Sequence, residues 1–257
     1  MVRWIFLSAF AFGSLLLWTG CDGTKENSGP KTEVKITFRA LYDGQPMVRY
    51  KKLDYDTYWV DFFRFNTYMS NLALLKSDGT VEHLSSIEWV DFTPDDARTD
   101  TMVDVMLTLR ASEGQYSGIR LGYGVPPVLN AKQPKDFAAG HPLSRENEYW
   151  IGWKSYIFNK IEGRVDLDKD GRSDGGLIYH CGSNAVFREY TFDLPIRVGE
   201  GAPAIVVEFD LKKLFRINGQ WLDLKDPYNH ITSNDFNDVV IARKLMDNFR
   251  SATSVTQ

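Results

Sequence analysis

From residue 33 onward, apolar positions recur at every second residue. Val34, Ile36 and Phe38 alternate with polar neighbours, and Asp43-Gly44 supplies a turn. The same reading predicts strands over residues 59–68, 72–75, 87–92, 103–109, 117–124, 149–161, 177–181, 186–192 and 204–211, with turns at Ser77-Asp78-Gly79 and Asn218-Gly219. Residues 126–145 are proline-rich and lack the alternation, which predicts a long loop. Only the C-terminal end changes period. Val239, Ala242, Leu245, Met246 and Phe249 fall at helical spacing, behind Ser233 as an N-cap and with Asp235 and Asp238 in the first turns. No strand-helix alternation and no repeat of 20 to 50 residues is present. The pattern predicts an all-β fold: one antiparallel β-sandwich domain over residues 33–257, with a long loop and a C-terminal amphipathic helix.

The first 32 residues stand outside that pattern. Arg3 precedes an uncharged apolar run from Trp4 to Trp18, and Thr19-Gly20 then leads to Cys21. The run is too short for an ordinary spanning helix and reads as an export signal over residues 1–20. The Thr-Gly-Cys ending resembles a bacterial lipoprotein box, which implies cleavage before Cys21 and lipidation there. Residues 21–32 then form a polar tether. Several acyl chains on one residue give a stable membrane anchor. The protein is therefore expected in the cell envelope, facing periplasm or exterior.

Composition narrows the picture further. Aromatic residues make up 14%, which favours a strand-rich core. The net charge of −4, or −5 without Arg3, gives no electrostatic case for nucleic acid. Cys181 has no partner for a disulfide once Cys21 is lipidated.

No nucleophile elbow, P-loop, HExxH, paired CxxC or haem-attachment motif occurs, so the chain does not read as an enzyme. The sharpest local motif is Asp166-x-Asp168-x-Asp170-Gly171-x-x-Asp174. Carboxylates at positions one, three, five and nine, with a glycine at six, match the first part of a calcium loop, although position twelve is Leu177. Trp150 and Trp153 fall within one predicted strand, on opposite faces by their odd spacing. His180 stands beside Cys181 at a strand end, and imidazole and thiolate both suit copper, but adjacent strand residues face opposite ways. His141, in the long loop, is the second candidate copper ligand.

Three blocks carry a family resemblance. Residues 65–74, Phe-Asn-Thr-Tyr-Met-Ser-Asn-Leu-Ala-Leu, and residues 118–126, Gly-Ile-Arg-Leu-Gly-Tyr-Gly-Val-Pro, resemble two strands of MbnP-like proteins. Residues 150–163, from Trp150 to Glu162-Gly163, are similar to the Trp-rich core of that family, and His180-Cys181-Gly182 stands where it has His-x-Gly. The resemblance implies an exported β-sandwich that binds one copper ion. It also implies a dihaem peroxidase-like partner, MbnH, that oxidises a protein Trp. Carried over by position, His180 is the copper ligand and Trp150 or Trp153 the oxidised indole. Two family His positions are occupied otherwise, by Arg39-Ala40 after Phe38 and by Ala131 after Asn130. The alternative is a calcium-stabilised sandwich without the copper site, whose long loop binds a partner.

Overall fold

The computed structural model describes residues 30–97, 99–199, 201, 203–226, 230–231 and 239–257. The export signal, Cys21, most of the tether, and the helix-start residues Ser233, Asp235 and Asp238 lie outside the described residues. The main elements in chain order are β1 (Lys31–Tyr42), β2 (Tyr58–Leu75), β3 (Val81–Asp91), β4 (Val105–Ser112), β5 (Gly114–Tyr123), β6 (Ser155–Asp166), β7 (Gly175–Gly182), β8 (Arg188–Val198), β9 (Ala204–Asp210), α1 (Val239–Ala252) and β10 (Thr253–Thr256).

Besides a two-stranded ribbon over residues 216–221, two sheets form among the described residues. The smaller runs β10-β9-β1-β4, and the larger runs β7-β6-β2-β5-β8, with β3 also on β2. The pairs are antiparallel except β1 with β9, where Ile36 to Leu41 run parallel to Ile205 to Asp210. The first strand of the domain is thereby closed by a late one. Their facing surfaces enclose an aromatic core. Phe209 on β9 sits among Phe38, Phe65, Phe92, Tyr123 and Phe249, with ring centroids 5.9–6.2 Å apart. α1 closes one side of this core with Ala242, Leu245, Met246 and Phe249, all buried. The helical spacing read from the sequence thus marks the packed stripe.

Two strand assignments change. The expected strands at 59–68 and 72–75 are one, because Asn71 adopts φ 48° and the register slips beside it without ending the strand. The expected strand at 149–161 is instead a hairpin. Residues 151–154 turn, with Lys154 at φ 51°, and Tyr149–Trp150 folds back so that Trp150 pairs with Ser155. Trp150 and Trp153 therefore do not occupy opposite faces of one strand. Backbone hydrogen bonds from Trp153 N to Trp150 O and from Lys154 N to Ile151 O close the turn. The loop over residues 126–145 carries short helical turns at Pro127–Asn130, Pro134–Asp136 and Pro142–Ser144. β10, which pairs with β9 directly after α1, had no counterpart in the sequence reading.

Phe209 is almost fully buried and touches both sheets and the helix. Phe209→Ala is expected to lower the unfolding free energy by about 3–5 kcal/mol. Met106→Ala, at an exposed position on β4, should stay within about 0.5 kcal/mol of the parent. Urea denaturation of both variants checks the contrast.

Candidate metal centre

β6 is paired on both sides, so its alternation sorts side chains onto two surfaces. Ile157, Asn159 and Ile161 face the core, whereas Lys160, Glu162 and Arg164 face outward. On β2, Asn66 stands opposite Lys160, Arg64 opposite Glu162 and Asp61 opposite Arg164. A register shift between Phe62 and Arg64 is what lets Asp61 and Arg64 share that outer face. On β7, His180 stands opposite Lys160 and Ile178 opposite Glu162.

This register builds a line of charge. His180 Nε2 lies 2.8 Å from Glu162 Oε1, and Arg64 Nε lies 3.2 Å from Glu162 Oε2. The hydrogen bond with His180 is the largest influence holding the Glu162 carboxyl below the ordinary glutamate range. Lys160 Nζ is 2.9 Å from Glu148 Oε2, and burial pushes the Glu148 carboxyl up. A cleft of about 570 Å³ opens above, lined by residues that include Asn66, Trp89, Glu148, Lys160 and Glu162. Arg145 from the long loop lies over the Trp89 ring.

The other sequence candidates fall around this line. Cys181 is on the core face, fully buried, and burial pushes its thiol up to about 12. It therefore cannot share an ion with His180. His141 caps the turn at Pro142–Ser144: its Nδ1 accepts from Leu143 N at 3.1 Å and its ring stacks on Phe137 at 4.5 Å. Leu143 O in turn accepts from the Tyr156 hydroxyl. Tyr156 is four residues along β6 from Lys160, the register partner of His180, or about 13 Å at the usual strand rise. Through Leu143, His141 is tied to the stretch of β6 at Tyr156. The hairpin of Trp150 and Trp153 leans on the end of β7. A Cβ added to Gly182 would lie only 2.9 Å from the Trp153 ring, so that indole covers the strand end two residues from His180.

The aspartate loop closes the opposite end of the β6–β7 hairpin. Asp166, Asp168 and Asp174 each offer an oxygen within 4.8 Å of the others, the only such group of three or more potential ligands among the described residues. Asp170 is outside it, its Oδ1 accepting from Arg172 N. Asp166 Oδ2 accepts from Gly171 N at 2.9 Å, and Asp174 Oδ2 from Leu167 N at 2.6 Å. Gly171 at φ 92° makes the sharp bend, a backbone conformation costly for other residues.

The sequence marks Glu162 only as part of the Trp-rich family block, with no role of its own, and does not single out Arg64, Glu148, Lys52 or Asp61. Lys52 Nζ stands 3.4 Å from both Asp61 Oδ2 and Asp166 Oδ2, two carboxylates with no exposed side-chain surface. The signal for these residues is cross-strand register, which two separate stretches of sequence do not announce. The Glu162 carboxyl titrates lower in the folded chain than the ~4.3 of an unfolded glutamate. Its stabilising contribution is complete above that pH and is lost as pH falls through the lower, folded value. The parent protein should therefore lose stability more steeply below about pH 4 than Glu162→Gln, as measured by urea unfolding across acid pH. Identical acid limbs would count against the His180–Glu162 pair.

Comparison with known proteins adds a family and a fold. The family model described as MbnP matches residues 31–235. The solved structure of MbnP from Methylosinus trichosporium is similar with a TM-score of 0.56 at 15% identity, covering 88% of this chain and 98% of that one. At that identity the likeness is one of fold. No curated protein sequence matches.

Proposed function

The chain belongs to the MbnP family, and from that premise we propose that it is an exported, lipid-anchored copper-binding protein of the cell envelope. It acts as a metal-handling protein and not as an enzyme. Cys21 carries the anchor, and His180 is the imidazole that receives copper. A dihaem peroxidase-like partner oxidises Trp150 or Trp153, and the modified residue contributes to the site.

The observation that carries this reading is the hydrogen bond between His180 and Glu162. Metal-binding histidines commonly donate one ring N–H to a carboxylate, which fixes the tautomer and raises the basicity of the imidazole. Here that carboxylate is held ionised by its neighbours. The Trp hairpin supports the reading by position, since Trp153 covers the end of the strand that carries His180. His141 is engaged with Leu143 N and Phe137, which favours a second donor other than its imidazole. Copper needs more than one strong donor, so the second would come from the hairpin.

The test is copper analysis of the tag-free protein made with and without the dihaem partner, with mass spectrometry of the peptide spanning Trp150 and Trp153. Stoichiometric copper is expected after coexpression, with one indole oxidised, and His180→Ala should abolish it. An unmodified, copper-free protein after coexpression would favour the calcium-stabilised module whose long loop serves a partner.

A further inference from the structure

We propose that Asp166, Asp168 and Asp174 form a calcium site that locks the end of the β6–β7 hairpin, independently of any copper. The three oxygens within 4.8 Å of one another would repel without a cation between them. Proximity of acids alone is common on surfaces; the state of Asp166 is what sets this group apart. Its side chain has no exposed surface, and its Oδ1 is buried with no hydrogen-bond partner. A buried carboxylate oxygen left in that state is costly, and few persist in folded proteins.

The surrounding charges do not satisfy it. Lys52 is shared between Asp61 and Asp166 at 3.4 Å from each. Arg164 Nε is taken by Asp61 Oδ1 at 3.0 Å, and Lys169 is engaged by Asp54 at 3.3 Å. Four carboxylates, Asp61, Asp166, Asp168 and Asp174, therefore face two cations, Lys52 and Arg164, leaving two negative charges open to a divalent ion. An all-oxygen donor set on a bendable loop suits calcium, which tolerates irregular geometry, better than magnesium, which demands a near-ideal octahedron and gives up water reluctantly. Asp166 ends β6 and Asp174 immediately precedes β7, so the ion joins the two strands at the end remote from Gly182. The same two strands carry Glu162 and His180, which makes the site a staple for the hairpin that bears the copper anchor.

The experiment is isothermal titration of the purified, chelator-treated protein with calcium and, separately, with magnesium, alongside thermal melts in each condition. Calcium is expected to bind and, near hundredfold saturation, to raise the melting midpoint by roughly 5 °C or more. Magnesium should give a smaller shift. Asp168 is exposed, so Asp168→Asn should fold normally and weaken calcium binding at least about tenfold, as expected when one charged ligand of a calcium loop is neutralised. Absence of calcium heat up to about 1 mM, the weak end for extracellular modules, together with a chelator-insensitive midpoint, would overturn the proposal. So would unaltered calcium binding in Asp168→Asn. Copper loading through His180 is read in a different assay, so either result stands apart from the other.

Discussion

Because β6 is hydrogen-bonded to β2 on one side and β7 on the other, its pleat decides which chemistry meets water. The close approach required at this seam is visible at Gly163, where an added Cβ would lie 2.1 Å from the Asp61 carbonyl oxygen. Slipping the strand by one residue would carry Ile157, Asn159 and Ile161 outward and drive Lys160 and Glu162 into an aromatic core. The hydrophobic core thus fixes the register, and the register sets Arg64, Glu162 and His180 in contact. The polar face is a by-product of burial on the opposite side.

The same constraint links the two ends of the hairpin. At one end the Trp153 ring lies on Gly182; at the other, Asp166 descends fully buried beside Lys52 and Asp61. Between them stand Glu162 and His180, whose mutual hydrogen bond depends on diagonal neighbours across antiparallel strands keeping their spacing. The long loop contributes cover. Tyr68 and Tyr156 reach up from the sheet to the carbonyls of Pro142 and Leu143, tying the loop over the outer face.

Much of the architecture was legible in alternation alone. The strand-rich sandwich, the turns at Asp43-Gly44 and Asn218-Gly219, and the buried stripe of α1 follow from local patterns that burial enforces. Asn71 and residues 151–154 misled for opposite reasons. A polar residue with positive φ looks like a break but can be absorbed as a bulge, while a run rich in aromatics looks like a strand even where it turns. The site was legible residue by residue but not as an arrangement. His180 and the aspartates carry recognisable chemistry, whereas Glu162, Arg64 and Lys52 gain their roles only through pairing across distant segments. The engagement of His141 with Leu143 and Phe137 was likewise hidden, since loop paths over a sheet are not written in periodicity.

The copper proposal made from MbnP family membership rests on one imidazole, His180, on the outer face. Copper-edge X-ray absorption of the copper-loaded protein addresses that point most directly. The expected spectrum shows a nitrogen and oxygen shell with the outer scattering of a single imidazole, and no sulfur. Scattering from two imidazoles would bring His141 or another histidine into the site, and a copper–sulfur distance would move it to the core beside Cys181. Either result would contradict the account.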